Sequence, residues 1–303
     1  MNIEEATDKF LQDLAISKSK NTVSAYRTAL NHLCACCGDR DAGIKADIVP
    51  EFVRWLHEHN PTSQNTLNLY LVALTRFYEW LVLSDLAEQD VLRFRNWVAQ
   101  YRKQKRRRLP RVPDEGDVQK LLACIRVARP TPAQPHTEYG RNLKLRWLRD
   151  LALIETLRST GCRVEEAVTL TNNAGDGCII TGKGGRQRPA FWDDVGLIAL
   201  SEYLTTKDGE LDDPLFLRHD WGHVSGAICT NTARSILAEW CRKAGVKVFT
   251  PHQFRHRFGV LSLRQMDLAL VQDLMGHESP ETTRIYTQFS GDELRQAHAA
   301  AQY

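Results

Sequence analysis

Apolar residues recur at helical spacing through most of this chain, and the rhythm gives way to a different pattern only at a short glycine-rich stretch in the second half. After Asn21-Thr22, which can cap a helix start, Val23, Tyr26, Leu30 and Leu33 fall on one face. After Ser63, Leu67, Tyr70, Leu71, Leu74, Phe77, Tyr78 and Leu81 do the same. Shorter helices fit residues 3–14, 50–58 and 88–100, so the first hundred residues predict a compact bundle of four or five helices. Its aromatic residues share one helical face, which places them in a core rather than on a base-stacking surface.

The second half continues with helices at 113–129 and 142–159, separated by Arg129-Pro130-Thr131-Pro132-Ala133-Gln134-Pro135, whose three prolines force a loop. Two short extended runs, Cys178–Thr181 and residues 188–192, flank Gly182-Lys183-Gly184-Gly185-Arg186-Gln187 and predict an antiparallel hairpin with a glycine-rich turn. Pro189 confines its strand to a sheet edge. Helices resume at 193–204, 230–244, 251–264, 268–275 and 280–289, with a polar tail helix from Asp292. The predicted fold is mainly α with a small β-sheet.

Composition adds a boundary and a partner. With 303 residues, 43% hydrophobic and 25% charged, the chain has material for one large core or two modest ones, which excludes disorder, collagen-like repeats and a disulfide mini-scaffold. The net charge of +3 hides a strong asymmetry: residues 1–100 carry −3, residues 101–111 carry +7 and residues 112–303 carry −1. The basic block runs Tyr101-Arg102-Lys103-Gln104-Lys105-Arg106-Arg107-Arg108-Leu109-Pro110-Arg111. Such a run repels itself and stays extended unless a polyanion neutralises it. It could be a solvated stretch or a localisation signal, but its place between two apolar-periodic halves favours a linker that binds nucleic acid. The candidate contacts are Arg102, Lys103, Lys105, Arg106, Arg107, Arg108 and Arg111. Fully extended, eleven residues reach up to ~35 Å, enough for two domains to embrace a duplex from opposite sides.

Eight cysteines are scattered without a regular framework, and Met1-Asn2-Ile3-Glu4-Glu5 has no apolar signal region, which points to a reduced, cytoplasmic setting. In His32-Leu33-Cys34-Ala35-Cys36-Cys37 the second ligand pair of a zinc module is missing, so the expectation is inert thiols near a helix end and no metal. No apolar run reaches the ~18 residues of a membrane span.

Four segments of the second half carry candidate chemistry. In Thr160-Gly161-Cys162-Arg163-Val164-Glu165-Glu166 a glycine ends one helix, Arg163 falls in the first turn of the next, and Glu166 lies three residues on, on the same face. Taken alone, that is an ordinary surface ion pair. Lys183 sits on the hairpin turn. In Thr250-Pro251-His252-Gln253-Phe254-Arg255, Thr250 suits the helix cap and Pro251 the first helical position, so His252 and Arg255 share a face. Two cationic groups side by side at a helix N-terminus repel unless something negative lies between them, which suits an anion site. His277 follows Gly276 at an apolar helix end, and Tyr286 lies about two turns into the helix after Ser279-Pro280.

Read in order, these segments resemble the tyrosine recombinase family of phage-integrase and Xer-like site-specific DNA recombinases, across the whole chain. Arg163 in Thr-Gly-Cys-Arg matches the first family arginine and Glu166 the acidic residue after it. Lys183 in Gly-Lys-Gly-Gly-Arg matches the hairpin lysine, and His252 with Arg255 the His-x-x-Arg motif. His277 in Leu-Met-Gly-His matches the Leu-Gly-His motif, and Tyr286 the nucleophile nine residues later. The departures are a longer proline-rich loop near 129–142, an abbreviated segment before the hairpin, and Met275 in place of the usual leucine.

The resemblance implies a helical, SAM-like core-binding domain (1–100), the basic linker (101–111), an α+β catalytic domain (112–291) and a tail (292–303) that either docks on a neighbouring protomer or is a frayed end. It implies cleavage and rejoining of DNA through a 3′-phosphotyrosyl link to Tyr286, with Arg163 and Arg255 as phosphate clamp. Lys183 would serve as proton donor to the leaving oxygen, His252 in proton transfer, His277 as a phosphate hydrogen-bond donor and Glu166 as support. No cofactor, metal or ATP is expected; the partners are double-stranded DNA recombination sites and three further copies of the chain, forming a tetramer on two duplexes at the nucleoid. The alternatives are a type IB topoisomerase-like enzyme and a non-catalytic site-specific DNA-binding protein.

Overall fold

The computed structural model describes residues 1–38, 40–103, 111–131, 137–182, 185–219 and 226–276. The chain divides into two compact units, Met1–Arg107 and Arg108–Tyr303, and the division falls inside the basic segment.

The first unit is a bundle of α1 (Ile3–Ser17), α2 (Lys20–Cys37), α3 (Ile48–His59), α4 (Gln64–Leu83) and α5 (Val91–Tyr101). Side-chain oxygens satisfy the orphan amides at four of the five starts: Asn2, Ser19, Ser63 and Asp90 each accept from the helix that follows. Ser19, not Asn21 or Thr22, caps α2, so this helix begins at Lys20. The predicted stripes form the core. Leu30, Leu33, Leu71, Leu74, Phe77, Tyr78 and Leu81 are buried against Phe52 and Phe94, each such side chain contributing roughly 1.5–3 kcal/mol relative to exposure. The start of the basic segment is fastened to α4. Gln64 Nε2 donates to the Tyr101 carbonyl at 3.2 Å and Asn68 Nδ2 to the Lys103 carbonyl at 3.0 Å.

The second unit is built around α7 (Glu138–Thr160), which packs against α6 (Glu115–Val127), α8 (Val164–Ala167), α9 (Asp194–Thr206), α10 (Thr230–Lys243) and α11 (Pro251–Ser262). Leu148, Ala152, Leu153, Ile154 and Leu157 are fully buried, as expected of a helix surrounded by others. Thr137 caps α7, which begins at Glu138, four residues before the predicted start. Strands β1 (Cys178–Thr181) and β2 (Gln187–Ala190) pair antiparallel, with Ile179 opposite Pro189 and Ile180 opposite Arg188. This strand ends at Ala190 rather than Trp192, because Trp192 turns inward and donates its indole N–H to Thr156 Oγ1 of α7 at 3.0 Å. The last described helix is α12 (Leu268–Met275). The expected helices at 280–289 and from Asp292, and residues 132–136 of the proline-rich loop, lie outside the described residues.

Candidate active site

Helix α7 stops at Gly161, whose φ of +58° is the left-handed conformation that glycine adopts without strain. A β-carbon there would also lie 2.4 Å from Cδ1 of Phe258 on α11, so only glycine lets the two helices close. The chain then turns into α8 with Arg163 as its cap, one position earlier than the first-turn placement expected from sequence, and Glu166 at the third helical residue. Glu166 reaches back in two ways. Its Oε2 accepts from the Arg163 amide at 2.8 Å and its Oε1 from Arg163 Nη1 at 2.7 Å. Burial pushes the Glu166 carboxyl up, but the Arg163 amide and the Arg188 and Arg163 guanidiniums outweigh it and hold the group below the usual carboxylate range. Cys162, just before Arg163, is inert: burial pushes its thiol up to about 11.

On α11, Thr250 caps the helix and Pro251 lies in its first turn, as the sequence predicts, and Gln253 completes a reciprocal capping box. Arg255 is only 2% exposed, and two of its partners are backbone carbonyls. Its Nη1 donates to the Gly161 carbonyl at 2.8 Å and its Nη2 to the Met275 carbonyl, so one guanidinium serves the C-terminal ends of α7 and α12. His252 stands one turn earlier, its ring packed against His256 at 4.2 Å. Partial desolvation, then the Arg255 and Arg163 charges, push the His252 imidazole below its ordinary value; His256 is driven down to about 4 by burial and by His252 and Arg255.

The two arginines meet at α12. Arg163 Nη2 donates to the Gly276 carbonyl at 3.4 Å, next to the Met275 carbonyl that Arg255 holds. Gly276 is again left-handed, with φ +59°. Lys183, His277 and Tyr286 lie outside the described residues. Gly276 precedes His277, and a β-carbon on Gly182, which precedes Lys183, would lie 3.1 Å from Glu166 Oε1 and 3.8 Å from Arg163 Nη1. Of the expected DNA contacts, Arg102, Lys103 and Arg111 are exposed, while Lys105, Arg106, Arg107 and Arg108 lie outside the described residues.

Sequence reasoning missed Arg188. It takes an inward position of β2, 6% exposed, and its Nη2 donates to Glu166 Oε2 at 2.8 Å. A basic residue alternating inward with Ala190 was the available signal, since a buried guanidinium needs a carboxylate. Near His32, Cys36 and Cys37 are driven up to about 11 and about 12, chiefly by burial. Among the described residues no three His, Cys, Asp or Glu side chains gather in metal-binding positions, and no helix is long and apolar enough to cross a membrane.

A mostly helical unit bearing a small hairpin, with two arginines and a buried carboxylate joined across three elements, carries the architecture of a tyrosine-type site-specific DNA recombinase, a DNA strand-transferring enzyme. Residues 139–292 match the family model described as the phage integrase family, and residues 7–85 match that of the phage integrase N-terminal SAM-like domain. The chain belongs to the phage integrase family. It is 31% identical over 315 residues to the tyrosine recombinase XerD of Shewanella oneidensis, covering 96% of this chain and 94% of that protein. Solved structures that share its fold include two integrases. The Tn1549 transposon integrase in complex with circular intermediate DNA aligns with TM-score 0.70 at 16% identity, over 98% of this chain and 99% of that one. A lambda integrase tetramer bound to a Holliday junction aligns with TM-score 0.65 at 15% identity, over 97% and 81%.

Proposed function

We propose that this recombinase cleaves and rejoins DNA strands through a 3′-phosphotyrosyl link to Tyr286, without ATP or a metal ion. The observation that carries the reading is the meeting of Arg163 and Arg255 on the consecutive carbonyls of Met275 and Gly276. Cleaving a phosphodiester requires a nucleophile, neutralisation of the non-bridging oxygens and a proton for the leaving oxygen. Arg163, whose side chain is 34% exposed, is available to phosphate oxygens. Arg255 adds a buried charge that water screens little.

As the Tyr286 hydroxyl loses its proton to His252, its oxygen attacks phosphorus. The bond from phosphorus to the 5′ oxygen breaks, and the Lys183 ammonium protonates that oxygen while His277 hydrogen-bonds the phosphate. The 5′-hydroxyl of another strand can reverse the step, so the phosphotyrosine conserves the bond energy. Exchange between two duplexes needs four protomers, in keeping with the tetrameric assembly of the lambda integrase whose fold this chain shares. Residues 1–100 and 112–291 would each contact the DNA, with linker 101–111 lying on phosphates and tail 292–303 docking on a neighbour. Such a protein works on cytoplasmic, nucleoid DNA.

The test is to incubate the chain with DNA of the replicon that encodes it and to isolate covalent adducts. Adducts should form at discrete positions and in EDTA, disappear in Tyr286→Phe, and be accompanied by joining of two site-bearing duplexes. Adducts with the variant would refute the nucleophile. Loss of activity in EDTA would refute the metal-free reading, and supercoil relaxation without joining would favour a topoisomerase.

A further inference from the structure

Arg188 connects three parts of the site that the established activity does not assign to it. It stands on β2 opposite Ile180, on the hairpin whose turn contains Lys183. Its Nη2 holds Glu166 Oε2, and Glu166 holds Arg163. Its stem lies against Gly276, where a β-carbon would come within 2.9 Å of Cδ and 3.1 Å of Nε. Gly276 is therefore required twice, once for its left-handed φ and once for Arg188.

Two guanidiniums share one carboxylate, so the trio retains one net positive charge with two of its three members buried. The Nε and Nη1 of Arg188 are buried and have no hydrogen-bond partner among the described residues. Leaving such donors unsatisfied costs about 1–3 kcal/mol, more for charged groups, and an apolar side chain of similar volume is often the more stable choice at such a place. The arrangement makes sense for a site that an anion completes.

We propose that Arg188 is a positioning residue of the strand-transfer site: through Glu166 and Gly276 it fixes Arg163 against the residues flanking the scissile phosphate. The inference rests on the strand-transfer reading above. Removing Arg188 leaves Glu166 with a single partner and frees the turn before His277. The phosphate then meets a mobile Arg163, and chemistry suffers while DNA affinity, set by many other contacts, does not.

The experiment uses the full chain and the duplex at which the wild-type protein forms adducts. Single-turnover adduct formation and duplex affinity are measured for Arg188→Met, Arg188→Lys, Glu166→Gln and the Arg188→Met/Glu166→Gln pair. Arg188→Met should slow adduct formation about 10- to 100-fold, the usual effect of removing a group that orients a catalytic one, with affinity changed less than about twofold. Arg188→Lys should recover most of the rate, and the double variant should be no slower than the slower single. Wild-type rates in Arg188→Met, or effects that multiply in the double variant, would overturn the proposal. If Arg188→Met does not fold, Arg188→Gln takes its place in the cycle under the same criterion. If the wild-type chain forms no adduct, the strand-transfer reading fails, and stabilisation of the free chain by inorganic phosphate decides on Arg188. A smaller melting-temperature rise in Arg188→Met than in wild type supports its role, and an equal rise rejects it.

Discussion

At the scale of the residue, the described arginines of the site each meet a carboxylate or a backbone carbonyl. His252 is the clearest consequence, because desolvation and two adjacent arginines hold its imidazole neutral further into acid than usual. A group whose pKa is lowered keeps its unprotonated form as pH falls, and loses it only on passing the lower value. If His252 accepts the tyrosine proton, the acid limb of adduct formation therefore lies below the ordinary histidine value of about 6.5, and the rate is flat around neutrality. His252→Gln should remove that limb and slow the reaction by about 10²- to 10⁴-fold, as read in a pH–rate profile of single-turnover cleavage. A wild-type limb centred above 6.5 would contradict the assignment. At this scale sequence was a partial guide. The Arg163–Glu166 pair and the His252–Arg255 spacing follow from helical geometry, whereas Arg188 finds its carboxylate 22 residues away across a hairpin, a partnership set by tertiary packing.

At the scale of the element, helix ends do most of the positioning. Most boundaries were legible because hydrophobic periodicity and cap residues agree, as at Ser63, Thr250 and Pro251. Where two cap candidates stood close together, periodicity did not choose between them, and the structure selects Ser19 over Asn21 and Thr22. What sequence did not reveal is that the carbonyl ends of α7 and α12 are both ligands of Arg255. Gly161 therefore joins fold to chemistry. Gly161→Ala forces a left-handed alanine against Phe258 and should cost at least about 2 kcal/mol in urea unfolding. It should also lower activity more than a surface change of equal stability cost, because it displaces the carbonyl that Arg255 holds. A loss below about 0.5 kcal/mol would show that the α7–α11 contact yields easily.

At the scale of the whole molecule, the near-neutral total charge conceals a +7 segment between two mildly acidic stretches. Each phosphate neutralised contributes about −0.9 to the salt slope of duplex binding, so replacing Arg106, Arg107 and Arg108 by Gln should flatten that slope by roughly 2.7 units. An unchanged slope in a salt titration of affinity would remove the linker from the DNA contacts. The amides of Gln64 and Asn68 give this segment a further property. Tyr101 already ends α5, so by holding the Tyr101 and Lys103 carbonyls to α4 they fasten residues 102 and 103 to the first unit and leave eight residues, 104–111, to connect it to the second, instead of ten. Tether length sets the effective concentration of the second unit once the first has bound, falling roughly as the −3/2 power of length. The two surface amides of α4 thus shorten the connection by two residues, which for a chain obeying that scaling raises the concentration about 1.4-fold.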